Sequence, residues 1–167
     1  MGQYLQNTQA IEALDHRVAR QESGDMHYSF VTTANLGAET GDQIQLHFTT
    51  PDTVDDFHCE IYLQASGEVL FTVREAPTGG LVGGSSATML CYNRRNPLTN
   101  PLSAVTTAAS AGTGGTLILQ EYAGSGRIAA AQRAAWTLKR NTTYAFRIYD
   151  TTTSVTATLL VEWYTHV

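Results

Sequence analysis

Charged residues are scarce in this chain, at 15% of 167 residues, whereas about a quarter is usual for globular proteins. Lysine occurs once, as Lys139, so nine of the ten basic residues are arginine. The net charge of −5 argues against a general electrostatic attraction to nucleic acid and leaves only a local basic patch open. Threonine, serine, asparagine and glutamine supply most of the polarity, and together with 14 glycines they favour β-structure.

Cysteines and long apolar runs are rare as well. Cys59 and Cys91 lie in separate apolar runs and lack the CxxC spacing of zinc sites. The sequence leaves open whether they form a disulfide or stay as two buried free thiols, as is usual for proteins made in the cytoplasm. No apolar run is long enough to span a membrane, and the N-terminus lacks the apolar core of a secretory signal. We therefore expect synthesis in the cytoplasm and no membrane partner.

The first 25 residues differ from the rest and predict a partly helical N-terminal arm. Within Leu5–Gln21 the apolar residues fall on one narrow helical stripe, and the Ser23-Gly24-Asp25 stretch ends the pattern. A helix this short and this thinly apolar must dock, either on its own domain or on a partner. We expect an arm that becomes ordered in an assembly. Its candidate partner-binding residues are Ile11, Leu14, Arg17, Val18 and Arg20.

From residue 26 onward, apolar and polar residues alternate with the two-residue period of half-buried strands. Ser66-Gly67 predicts a tight hairpin, and Asn141-Thr142 predicts a second turn. Eight or nine strands without a second helix predict an all-β domain over residues 26–167, an antiparallel, jelly-roll-like β-sandwich with the short helical arm in front of it. The expected strands are Ile44–Phe48, Phe57–Leu63, Val69–Val73, Met89–Tyr92, Thr116–Tyr122, Ala135–Lys139, Thr143–Tyr149 and Ser154–His166.

Groups of reactive side chains that would indicate an enzyme are not evident. The five histidines lack metal-site spacing, and the aspartates at residues 52–56 lack the spacing of a calcium loop. Glu60 and Glu68 are carboxylates of the kind that hydrolyse glycosides, but the sequence cannot place them face to face, and carboxylates on strands usually face solvent. The glycine-rich loops lack the lysine of a phosphate-binding loop. We expect no enzyme activity, no metal and no cofactor.

The stretch CYNRRNPLTNP, residues 91–101, combines a tyrosine, two adjacent arginines and two prolines. Pro97 and Pro101 prevent a central strand or a helix, so Arg94 and Arg95 are expected at the rim of the sandwich. Arginine and tyrosine are typical anchors of protein interfaces, although local pairing with Asp or Glu, or a bound sugar, would use the same groups. The interface candidates are Tyr92, Arg94, Arg95, Tyr122, Arg127 and Arg133.

Several motifs resemble those of a family of tailed-bacteriophage virion proteins. The pattern W-x-L-K-x-N-T-x-Y stands at residues 136–144, and E-W-Y-x-H stands at residues 162–166. Shorter similarities lie at Ser66-Gly67-Glu68, at Tyr92-Asn93-Arg94 and at residues 24–28. Together these motifs cover most of the chain after residue 16. The family is that of capsid cement, or decoration, proteins.

This resemblance implies a jelly roll that binds the outer surface of a virion capsid. Its partners would be the major capsid protein and further copies of itself, with a homodimer favoured over a homotrimer. The resemblance carries over no catalytic residue. The alternative is a receptor- or carbohydrate-binding module of a phage fibre or tail, which would share the sandwich and the exposed aromatic residues. The short N-terminal arm favours the cement protein, because a fibre head would follow a shaft or a docking domain.

Overall fold

The computed structural model describes residues 18–36, 44–53, 56–79, 84–107, 113–123, 131–150 and 155–166. Within these ranges the chain forms one short helix, residues 18–23, and ten strands. No helix in them is long and apolar enough to cross a membrane. The strands are β1 (His27–Leu36), β2 (Ile44–Thr49), β3 (Asp56–Ala65), β4 (Val69–Glu75), β5 (Leu90–Cys91), β6 (Thr106–Thr107), β7 (Thr116–Ala123), β8 (Ala131–Leu138), β9 (Thr143–Asp150) and β10 (Val155–His166).

The strands form two five-stranded antiparallel sheets that pack face to face. Sheet A has the order β5-β1-β10-β3-β8, and sheet B has the order β6-β2-β9-β4-β7. Apart from the two-residue strands β5 and β6, each sheet has four strands, and most successive strands along the chain alternate between the sheets. This connectivity is that of a jelly roll, so the predicted fold class is confirmed.

The core lies between the sheets and is built from every second residue of each long strand. In β3 the residues Phe57, Cys59, Ile61 and Leu63 are buried, and those between them are more exposed. Aromatic rings fill one end of the core, where Phe48 contacts Phe57, Phe146 and Trp163 at centroid distances of 5.4–6.0 Å. Each such fully buried side chain stabilises the fold by about 1.5–3 kcal/mol.

The sequence predicted a tight hairpin at Ser66-Gly67, and this prediction is wrong. The turn joins β3 of sheet A to β4 of sheet B and is therefore a corner between the two layers. A side chain on Gly67 would press on the side chain of Val155. The turn at Asn141-Thr142 likewise crosses from β8 to β9, and Asn141 has the positive φ of 46° that asparagine tolerates. Local turn chemistry marks where a strand ends, but not which sheet receives the next strand.

Three strands differ from those expected from the sequence. β1 is not among the expected strands, because its inward positions include the polar His27 and Ser29, whereas Tyr28 and Phe30 face outward. β6 lies in a Thr/Ala/Ser run with weak preferences and is defined by its pairing with β2. β8 begins at Ala131, four residues before the predicted start. Strand ends and short edge strands depend on the neighbouring strand rather than on local periodicity.

Candidate partner-binding surface

Loop 92–101 begins with a turn that the side chain of Asn93 closes. Its Oδ1 accepts hydrogen bonds from the backbone nitrogens of Arg95 and Asn96, both at 3.0 Å. Its Nδ2 donates to the carbonyl oxygen of Glu22 at 2.5 Å. One asparagine therefore shapes the turn that carries the two arginines and fastens it to the N-terminal helix.

The far end of the loop is fastened to the core. Asn100 Oδ1 accepts hydrogen bonds from the backbone nitrogen of Leu102 at 2.9 Å and from Nε1 of Trp163 at 3.0 Å. Trp163 is fully buried, so its indole N–H needs a partner within the protein. Sequence reasoning singled out the arginines and missed both anchoring asparagines. The available signal was that both lie in a long loop and that Asn100 directly precedes Pro101.

The segment between the helix and β1 supports the middle of this loop. The carbonyl oxygen of Gly24 accepts hydrogen bonds from the backbone nitrogen of Leu98 at 3.1 Å and from the thiol of Cys91 at 3.2 Å. The imidazole of His27 lies 3.2 Å from the carbonyl oxygen of Leu98. Gly24 has φ +89°, and a Cβ there would overlap the carbonyl oxygen of Asn96. Only glycine fits this close approach without strain.

The helix at residues 18–23 docks on sheet A through Arg20. The guanidinium forms a 2.6 Å ion pair with Asp25, and its carbon lies 5.8 Å from the ring centre of Tyr164. Burial alone would raise the pKa of Asp25, but hydrogen bonds from Ser23 and Arg20 outweigh it and lower the pKa below its usual range. Val18 lies about 200° around the helix from Arg20, and 42% of its surface is exposed. The helix therefore turns its arginine toward the domain and its valine toward solvent.

Several exposed side chains lie on the joined helix and loop, and we call four of them, two arginines and two apolar residues, the arginine-loop surface. It consists of Val18, Arg94, Arg95 and Leu98, of which Leu98 is 50% exposed. Within the described ranges, neither guanidinium of the loop forms an ion pair with Asp or Glu. The local pairing that the sequence left open is therefore not found there. The surface combines apolar contacts with two cations on a braced backbone.

Tyr92 lies on the outer face of sheet A rather than on this surface. Its ring packs against Tyr28 at 4.6 Å, and its hydroxyl donates to the carboxylate of Glu162, which is 1% exposed. Glu162 stands opposite Glu60 across the β10–β3 ladder, and Glu60 accepts a 2.8 Å hydrogen bond from Tyr62. Two tyrosine hydroxyls thus stabilise adjacent carboxylates that would otherwise repel each other.

The remaining sequence candidates lie elsewhere or outside the described residues. Tyr122 is on β7 of sheet B, with 63% of its surface exposed. Arg127 and the side chain of Arg133 lie outside the described residues, as do the arm positions Ile11, Leu14 and Arg17. The six interface candidates therefore do not form one described cluster. Glu60 lies within β3, whereas Glu68 follows the corner after this strand.

A shallow groove of about 150 Å³ lies beside the helix on sheet A. His58 and Tyr164 stack in it at 4.8 Å, and Glu60, Trp136 and Thr137 complete much of its wall. Within the part of the chain that the structure describes, no group of three or more His, Cys, Asp or Glu side chains could hold a metal ion. The groove offers aromatic faces with a few polar groups, the kind of lining that small ligands use.

Both cysteines are buried free thiols, so the alternative of a disulfide between them is not realised. Burial, with the nearby charges of Glu60 and Glu162, raises the pKa of the Cys59 thiol. Cys91 donates to a backbone carbonyl, as described above. Both thiols are buried and therefore lack the open setting of a reactive nucleophile.

Comparisons with known proteins concern the fold alone. No protein-family model and no curated protein matches the chain. A crystal structure of the Yersinia pseudotuberculosis-derived mitogen aligns with 83% of this chain and 86% of its own, at 6% identity and a TM-score of 0.37. A structure of infectious bursal disease virus, Gt strain, aligns with 83% of this chain and 39% of its own, at 14% identity and a TM-score of 0.20. Neither likeness bears on function.

Proposed function

We propose that this protein is a structural protein of a phage virion, which binds the outside of the capsid and cements the lattice of the major capsid protein. The observation that carries the proposal is the arginine-loop surface, defined above as Val18, Arg94, Arg95 and Leu98. Exposed arginines next to apolar side chains are typical anchors of protein interfaces. The motif resemblance to decoration proteins supplies the identity of the partner.

The bracing of the loop favours recognition of a protein surface. Asn93 and Asn100 hold both ends, so little conformational entropy is lost when the loop binds. A guanidinium pairs bidentately with a carboxylate and remains charged at every physiological pH. Arg94 and Arg95 therefore suit acidic side chains on the capsid surface, although the chain as a whole carries a net charge of −5.

The orientation of the helix supports a capsid-binding role for the arm. Since Arg20 faces its own sheet, Val18 points away from the domain. In the helix predicted from the sequence, Ile11 and Leu14 share the face of Val18. That apolar stripe would then be directed outward, toward a neighbouring capsid protein. Ile11 and Leu14 themselves lie outside the described residues.

The protein would cement the capsid because it would bind the assembled lattice of the capsid protein more tightly than it binds free capsid subunits. A standard interface buries on the order of 1,600 Å², and the capsid repeats each contact many times. A ligand that binds one state preferentially stabilises that state by mass action. The jelly-roll domain would connect these capsid contacts as a rigid body.

The test is addition of the purified protein to undecorated capsids, followed by co-sedimentation and thermal disruption of the shells. We expect saturable binding and a higher disruption temperature. Exchange of both Arg94 and Arg95 for alanine should weaken binding at least about tenfold, which corresponds to about 1.4 kcal/mol. Arg140→Ala, another exposed arginine, is the control for loss of charge. Wild-type protein that does not sediment with capsids would exclude the cement role.

The alternative, a carbohydrate-binding module of a fibre or tail, is favoured by the groove on sheet A. His58, Trp136 and Tyr164 line it together with the carboxylate of Glu60. Its test is a glycan array with wild-type protein and the variant His58→Ala. Specific binding that this variant loses would favour the alternative. Tyr92 is unsuitable for this test, because it supports the buried Glu162.

A further inference from the structure

Among the described strands, β7 is the outermost one at one edge of sheet B. It has eight residues and pairs with β4 on one side, and no described strand pairs with its other side. At the opposite edge of the sheet stands β6, which has only two residues. A long edge strand exposes a row of backbone N–H and C=O groups that can pair with another strand.

The sequence of β7, TLILQEYA, lacks most features that keep edge strands from pairing. It contains neither lysine nor proline, and Glu121 is its single charged residue. Leu117 and Tyr122 are 41% and 63% exposed, respectively, and their partners in β4 place both on the outward face of sheet B. A register shift at the start of the strand leaves Ile118 out of the ladder, so the regular edge runs over residues 119–123.

We propose that β7 pairs antiparallel with β7 of a second copy of this chain, which joins the two B sheets across a twofold axis. Antiparallel pairing of a strand with its own copy closes a dimer, because the β7 edge of each copy is then occupied by the other. A twofold axis perpendicular to the sheet and centred on a residue keeps outward side chains on the same face in both copies. This symmetry distinguishes a second copy from an unrelated strand.

The position of Glu121, the single charged residue of β7, is compatible with a pairing centred on Gln120. In that register Glu121 stands opposite Leu119 of the second copy, so like charges are not opposed. Beyond this regular part of the edge, Tyr122 would lie beside the bulge at Leu117 and Ile118 of the second copy. The two exposed apolar side chains at the ends of the strand thus cover each other across the axis. A register centred on Glu121 would oppose two carboxylates and is disfavoured.

This pairing does not depend on the proposed capsid function, because pure protein is sufficient to form it. It uses sheet B, whereas the arginine-loop surface lies beside sheet A. A failure of one proposal therefore leaves the other intact. The pairing also gives Tyr122, one of the six sequence candidates, a contact separate from that of Arg94 and Arg95.

The test is a charge exchange at Gln120, which is exposed and lies near the middle of the strand. Light scattering after size-exclusion chromatography should give a dimer for the wild type. Gln120→Lys and Gln120→Glu should each give a monomer, since two like charges then meet at the axis. An equimolar mixture of the two variants should restore the dimer, since opposite charges then meet there. Thermal unfolding checks that both variants are folded.

Thr32→Lys is the matched control, because Thr32 is an exposed residue on the outer face of sheet A. It should leave the dimer intact. A monomeric wild type would overturn the proposal, as would a dimer that Thr32→Lys disrupts and Gln120→Lys does not. A monomeric wild type whose capsid binding is lost in Gln120→Lys would show that β7 receives a strand of the capsid protein instead, which also overturns self-pairing.

Discussion

Asn100 accepts a 3.0 Å hydrogen bond from the indole nitrogen of Trp163, a fully buried side chain of the core. The two residues are 63 positions apart in the chain. The bond satisfies a donor that has no access to water, and it also fixes the far end of loop 92–101. The position of Arg94 and Arg95 therefore depends on the same contact that stabilises the core.

Asn100→Ala should destabilise the protein by about 1–3 kcal/mol, because the buried indole N–H then lacks an acceptor. Urea unfolding, followed by tryptophan fluorescence, measures the change in the free energy of unfolding. Asn100→Asp keeps an acceptor oxygen and should recover much of the loss. Equal stability of Asn100→Ala and the wild type would mean that another group or a water molecule satisfies the indole.

Gly24→Ala should lower stability by about 1–3 kcal/mol, the usual cost of a residue forced into an unfavourable backbone conformation. Gly24 has φ +89°, and an added Cβ would overlap the carbonyl oxygen of Asn96. Thermal unfolding and limited proteolysis of loop 92–101 measure the effect. Gly84→Ala is the control, because Gly84 is an exposed glycine outside this loop. Similar losses in both variants would contradict a specific role for Gly24.

Tyr92→Phe should cost about 1.5–3 kcal/mol, the usual contribution of a hydrogen bond to a charged group. The lost hydroxyl donates to Glu162, a carboxylate that is 1% exposed and stands opposite Glu60. The same substitution in a Glu162→Gln background should cost less, so a double-mutant cycle isolates the pair. Tyr28→Phe keeps the tilted contact between the two rings and should have little effect. Additive losses in the cycle would show that the hydroxyl acts elsewhere.

His47 should make stability fall as the pH drops below 6.5. Burial lowers the pKa of its imidazole, and its Nδ1 is buried without a hydrogen-bond partner among the described residues. The unfolded chain therefore takes up a proton at a higher pH than the folded protein does. This contribution is complete above pH 6.5 and is lost as the pH falls toward the folded pKa.

Urea unfolding above pH 6.5 and about one unit below it should show a smaller pH-dependent loss for His47→Gln than for the wild type. The imidazole is only half-buried, so solvent screening should keep the difference below about 1 kcal/mol. If His47→Gln retains the full pH dependence, other titratable groups are responsible.

Loop 92–101 illustrates how far sequence reasoning reaches. Pro97 and Pro101 correctly predicted that the chain leaves the sheet, since proline cannot donate to a ladder. The exposure of Arg94 and Arg95 followed from that prediction. The hydrogen bond from Tyr92 to Glu162 could not be predicted, because the sequence does not indicate that this buried carboxylate lies within reach of the hydroxyl.

The sequence by itself determined that the domain is an all-β sandwich, because burial of alternate residues is a local property of each strand. It also determined where turns lie, since Asn141 and the glycines supply backbone conformations that other residues avoid. Only the tertiary structure decided which sheet each strand joins, as the corner at Ser66-Gly67 illustrates. The sheet to which each strand belongs, the pairing of Glu60 with Glu162 across the ladder and the position of β7 at the edge of sheet B depend on pairings between distant segments. Such pairings result from the packing of the whole chain, and local periodicity does not encode them.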